Sequence, residues 1–121
     1  MKKIAAIIVL GFFTNLVSAQ YLVSCTYVNY NPSFVLSAIT GSPLDYDVDM
    51  YKMVYNTVDV NGQPTIASGA FLVPTNTDCA DFPIATYNHG TTLEKDEVPS
   101  NDVSETFIGK IFSAGGYFTC M

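Results

Sequence analysis

His89 is the only histidine in the chain. A serine nucleophile needs a histidine to take its proton. The candidate serines are Ser24, Ser33, Ser37, Ser42, Ser68, Ser100, Ser104 and Ser113. None sits in a G-x-S-x-G elbow, so a complete Ser-His-Asp set is not expected within these residues. A different chemistry suits His89-Gly90-Thr91-Thr92, because backbone N–H groups in a tight turn can face an oxyanion as it develops. Gly90 would let the backbone bend sharply and approach a substrate, while the threonines would add hydroxyls or fix the loop. A plain turn with a hydrogen-bonded histidine is the competing reading.

Two other groups have chemical potential. Asp45, Asp47 and Asp49 alternate with Tyr46, Val48 and Met50. A calcium loop would need a central glycine and a distal glutamate, so solvated acids on a strand or loop are expected. Cys25, Cys79 and Cys120 have no CxxC spacing, and a metal site is not expected. In an oxidising compartment two of them can pair. The polar surroundings of Cys25 and Cys79 favour that pair, and the apolar run around Cys120 suits a buried thiol.

These residues must be placed by ordered elements. Asn31-Pro32-Ser33 followed by Phe34, Val35, Leu36, Ala38 and Ile39 predicts a short helix, capped by Asn31 and stopped by Gly41-Ser42-Pro43. Residues 51–60 and 65–73 are strand-like, and Asn61-Gly62 between them signals a hairpin. Pro74 would end the second strand, with a polar loop over residues 75–82. Residues 83–88 form a short apolar run without alternation, which predicts a strand covered on both faces. A polar loop over 93–99 leads to a helix from about 103 to 114, capped by Ser100, Asn101 or Asp102. Val103, Phe107, Ile108, Ile111 and Phe112 would face the core. Glu94 and Glu105 have no clear local role. Gly115-Gly116 stops the helix, and residues 117–121 read as a buried strand. The two buried strands joined by a helix predict a parallel crossover. A chain that stops inside such a strand reads as the N-terminal part of a larger α/β protein.

The 121 residues allow one small domain. Five lysines and no arginine face 11 acids, a net charge of −6, which argues against a nucleic-acid partner. Hydrophobic residues make up 49% and charged residues 13%, unlike a disordered tail. Lys2 and Lys3, the apolar run at 4–13 and the small residues Val17-Ser18-Ala19 form a signal-peptide pattern over 1–19. An uncleaved anchor or a lipidated terminus are the alternatives. The run is short for a membrane span. Its removal leaves 102 residues with 3 lysines and 11 acids, a net charge of −8. The expected location is secreted or periplasmic.

Tyr87-Asn88-His89-Gly90-Thr91-Thr92, followed by Asp96-Glu97-Val98-Pro99-Ser100, resembles the strand-3 exit of secreted α/β-hydrolases of the esterase/lipase and prolyl-oligopeptidase-like kind. YNTVDVNGQPTIASGAFLVP at 55–74 resembles their opening hairpin. GKIFSAGGYFTCM at 109–121 resembles their first helix leading into strand 4. The resemblance implies an N-terminal part of an α/β-hydrolase sheet over 45–121, preceded by an extension with a short helix over 20–44. It implies an oxyanion-loop role for His89, Gly90, Thr91 and Thr92, with N–H donors near Thr91 and Thr92 and with His89 orienting the loop. Asp96 and Glu97 would shape a pocket mouth or remain solvated. Nucleophile and base would lie outside these residues, so this chain alone would be inactive. The longer protein would act on a small-molecule ester or acyl substrate without a cofactor. A small secreted binding or surface module without chemistry is the alternative.

Overall fold

The computed structural model describes residues 21–78, 81–91, 94 and 96–121. A long hairpin organises its sheet. β2 (Asp47–Val58) pairs antiparallel with β3 (Pro64–Thr75) along their full length. Strand alternation sends Val48 and Met50 into the core, with Asp47 and Asp49 on the opposite face. The turn is not the two-residue type in which both central residues take positive φ. Gly62 N–H bonds the Asp59 carbonyl at 3.0 Å, and Asp59 N–H bonds the Gln63 carbonyl at 2.8 Å. Only Gly62, at φ 76°, is left-handed there. This is a three-residue loop with a glycine bulge. Asp59 sets it, because its Oδ1 accepts the N–H groups of Asn61 and Gln63, each at 2.8 Å.

The N-terminal residues contribute more than an extension. β1 (Leu22–Asn31) pairs antiparallel with β2, with two register shifts, and forms an edge of the same sheet. Nearly all its residues are exposed, so no alternation marked it in the sequence. α1 (Ser33–Thr40) follows at once. Asn31 does not cap it. Pro32 is the residue before the helix, and the Ser33 N–H is taken by Asp47 Oδ1 at 2.7 Å. The Asn31 amide turns back to Asn29 Oδ1 at 2.8 Å. Gly41 ends the helix in the left-handed region at φ 70°, as expected of a C-terminal glycine. Asp47 is therefore more than a solvated charge, since it also accepts from Tyr30 OH at 2.6 Å.

The sheet order is β1-β2-β3-β5-β4. β5 (Phe118–Cys120) lies between β3, antiparallel to it, and β4 (Ile84–Thr86), parallel to it. The parallel strand-helix-strand unit is thus present. β4 differs from expectation: it is an edge strand, and Ile84 is 74% exposed. A strand acquires cover on both faces only inside a layered sheet, and among the described residues nothing packs beyond β4.

α2 (Thr106–Ala114) starts later than expected. A short 3-10 helix (Pro99–Asn101) precedes it, and none of Ser100, Asn101 or Asp102 caps it. Its buried face is made of small residues, Thr106, Gly109, Ser113 and Ala114. Phe107 packs against the core, whereas Phe112 is 46% exposed. The reason is close approach: a Cβ on Gly109 would collide with Met121 Sδ and lie 3.1 Å from Leu72 Cδ1. The core joins Leu36 of α1, Val48, Met50, Ala70 and Leu72 of the hairpin, and Ala114 of α2. No helix among the described residues is long and apolar enough to cross a membrane.

Candidate functional site

β4 delivers the chain to the site. Tyr87 N–H still bonds the Cys120 carbonyl at 2.8 Å, which extends the ladder one residue beyond β4. Asn88, His89 and Gly90 then leave the sheet. Glu105, the residue before α2, meets them. Its Oε1 accepts the Tyr87 hydroxyl at 2.8 Å and the Gly90 N–H at 3.0 Å. The Gly90 N–H, and then the Tyr87 hydroxyl, hold the Glu105 carboxyl below its ordinary value, and nearby His89 adds to this. The same bond holds the Tyr87 phenol above its ordinary value. The exposed His89 ring places Nδ1 2.7 Å from the Gly90 carbonyl. A carbonyl only accepts, so Nδ1 carries the proton. Among the described residues, the ring bonds this carbonyl and no serine hydroxyl.

Beside the loop lies a cavity of about 510 Å³. Gly90 and Thr91 line one part of it, and Val103, Ser104 and Glu105 another. Glu94 and Glu97 of the intervening loop complete the lining. Thr92 lies outside the described residues. Gly90 is not among the left-handed glycines. A Cβ there would meet Glu105 Oε1 at 3.9 Å, an ordinary contact. The turn itself therefore does not demand glycine, and any need for glycine rests on what approaches from outside.

Residues 96–102, which lead into the Val103 side of the lining, form a wall stapled to the sheet. Ser100 Oγ lies 2.8 Å from Ser68 Oγ, and Lys52 Nζ donates to Asn101 Oδ1 at 2.6 Å. The Asn101 amide donates to the Asp96 carbonyl at 3.0 Å. Asp102 sits at φ 55°. It accepts from the Asn29 amide at 2.5 Å and pairs with Lys110 at 2.6 Å, so β1, the wall and α2 meet at one side chain. Of the two acids expected at the mouth, Glu97 lines the cavity, whereas Asp96 contributes its carbonyl to the wall.

Sequence reasoning did not assign Glu105. Its partners lie 15 and 18 residues upstream, beyond any local capping pattern. Cys25 is exposed on β1. Cys79 is outside the described residues, and with it the expected bridge. Cys120 is partly buried, and burial raises its thiol pKa, which disfavours the reactive thiolate. No cluster of three or more metal-ligating side chains occurs among the described residues.

No protein-family model and no curated protein matches the sequence. Solved structures do match the fold. The rice cell wall degrading esterase LipA from Xanthomonas oryzae aligns with 82% of the chain at TM-score 0.70 and 19% identity. A ligand-bound form of the same esterase aligns at TM-score 0.68. A protein from Legionella pneumophila described as a hydrolase aligns with 81% of the chain at TM-score 0.69 and 27% identity. The chain spans 27% of the first structure's length and 29% of the Legionella protein's. Its mixed five-stranded sheet with helices matches part of the α/β-hydrolase fold of these esterase and hydrolase structures.

Proposed function

We propose that this chain is the N-terminal part of a secreted serine hydrolase that cleaves a carboxylic-ester or acyl bond. The observation that carries the reading is the loop at the C-terminal end of β4, seated on the cavity that Gly90 and Thr91 line. Ligands in open α/β sheets bind beyond the carboxyl ends of the strands. The esterase name of one structural neighbour and the hydrolase description of another favour the same chemistry. Residues 1–19, read as a signal peptide, support export.

In this mechanism a serine outside residues 1–121 gives its proton to a base also outside them and attacks the substrate carbonyl. The tetrahedral intermediate expels the alcohol or amine, which takes that proton, and water then releases the acid from the acyl-enzyme. The carbonyl oxygen becomes an oxyanion. N–H groups at Thr91 and Thr92 donate to it, joined by one from the nucleophile's own turn. The Gly90 N–H is committed to Glu105 and is not one of the donors. His89 does not act as the base; its Nδ1–H holds the Gly90 carbonyl.

The test is p-nitrophenyl ester hydrolysis. The purified 121-residue chain should show none, whereas a polypeptide continuing into a G-x-S-x-G elbow should turn over. In that polypeptide, Thr91→Pro or Thr92→Pro removes a donor and should lower kcat about 100- to 1000-fold. Turnover by the short chain that is lost in both His89→Ala and a single serine variant would overturn the proposal.

A further inference from the structure

We propose that Glu105 is a positioning residue for the oxyanion loop, an inference that rests on the hydrolase reading. One carboxylate oxygen accepts from two groups on opposite ends of the strand exit, Tyr87 OH and Gly90 N–H. The first is fixed by the sheet, through Tyr87 N–H and the Cys120 carbonyl. The second belongs to the His89–Gly90 peptide, one peptide before the unit that carries the Thr91 N–H. Glu105 itself is fixed by α2, because its carbonyl accepts the Ile108 N–H at 3.1 Å. A rigid helix end, a rigid strand end and the loop between them thus converge on one atom.

The consequence is orientational. The two peptides that flank Gly90 are each held at one polar atom: the His89–Gly90 peptide by its N–H on Glu105, and the Gly90–Thr91 peptide by its carbonyl on His89 Nδ1 at 2.7 Å. With the planes on both sides of Gly90 held, its φ and ψ have little freedom, and this sets the direction of the Gly90–Thr91 peptide. The Thr91 N–H lies in that same plane, opposite the held carbonyl. Glu105 would therefore act on the oxyanion donors without touching substrate, by preorganising them. The ionisable groups around it are Tyr87 and His89 from the strand exit and Glu94 and Glu97 across the cavity. Two of these are acids like Glu105 itself. A carboxylate is kept in place there because its two donors are tied to the fold.

The experiment combines kinetics on p-nitrophenyl butyrate with hydrogen exchange at the Gly90 amide, in the polypeptide as its host produces it. Glu105→Ala should lower kcat about 10- to 100-fold, the range expected for slight misplacement of reacting groups, with KM changed less than about twofold. Glu105→Gln should restore most of kcat, because its amide oxygen accepts from the same two donors. Glu105→Asp, one methylene shorter, should behave like the alanine variant, and it decides the matter if alanine prevents folding. Gly90 amide exchange should speed up in the alanine and aspartate variants and not in glutamine. Unchanged Gly90 exchange, or a kcat loss that glutamine fails to rescue, would overturn the positioning role. A wild-type protein that hydrolyses no ester while Gly90 exchange responds as expected would instead overturn the hydrolase reading and leave the tether standing.

Discussion

Asp47 shows how one side chain serves two elements. It lies at the start of β2 and caps α1 from 14 residues away, while also accepting from Tyr30. The Ser33 N–H, and then the Tyr30 hydroxyl, lower its pKa. A carboxylate with a lowered pKa adds stability above its unfolded-state value, about 3.9, and loses that contribution as pH falls through the folded value. Asp47→Ala should therefore cost about 0.5–2 kcal/mol at pH 7, typical of a lost helix cap. Thermal melts should show that gap at neutral pH and its closure in strong acid. A gap that persisted once Asp47 was protonated would mean the side chain acts by packing and not by charge. Glu105 and Asp59 have lowered values for the same reason, donation from backbone N–H groups. Acid should therefore loosen the hairpin turn, the α1 cap and the site loop together.

At the scale of elements, local chemistry was legible where both partners were close in sequence. Gly41, Gly62 and Gly116 mark their turns with positive φ, and the buried strand expected over 117–121 is present as Phe118–Cys120, with Thr119 buried. What stayed hidden depended on distance. β1 gave no signal because its side chains are exposed along most of its length. The caps of α1 and the site loop come from Asp47 and Glu105, each across a gap no local pattern spans. α2 was misread because apolar spacing suggested a bulky buried face, whereas the sheet approaches so closely that the contact positions are small. Gly109→Val tests that packing. The added side chain meets Met121 and Leu72, and overpacking typically costs about 1–3 kcal/mol. The melting temperature should drop about 4–8 °C for each kcal/mol lost in a domain of this size. An unchanged melt would show that α2 can move away from the sheet freely.

Taken as a molecule, the chain is finished on one face only. Both helices and the stapled wall lie on the side of Val48, Met50, Ala70 and Leu72. The opposite face carries a cross-strand row of Tyr27, Tyr51, Phe71 and Cys120. Tyr27 meets Tyr51 edge-on at 5.7 Å, and Phe71 stacks with Phe118 at 6.1 Å. No described element covers that row. The edge strands β1 and β4 also present Leu22, Val23, Tyr27 and Ile84 to solvent, and exposed apolar edges template association. The 121-residue chain should therefore self-associate in light scattering. Ile84→Lys should reduce that association, since a charge on an edge strand opposes pairing. Scattering identical to wild type would place the sticky surface elsewhere.

The sheet order carries a last consequence, for the sequence of events during synthesis. β3 and β4 follow one another along the chain, yet they are not neighbours, because β5 is inserted between them. The hairpin of β2 and β3 can close as soon as residue 75 has emerged. β4, at residues 84–86, then has no strand to join. Its partner among the described residues follows more than 30 residues later, and emerges after the site loop, the wall and α2. The loop that carries His89, Gly90 and Thr91 thus hangs from an unanchored strand until residues 118–120 emerge. The bond from Tyr87 N–H to the Cys120 carbonyl, which fixes the root of the loop, can form only once β5 has entered the gap.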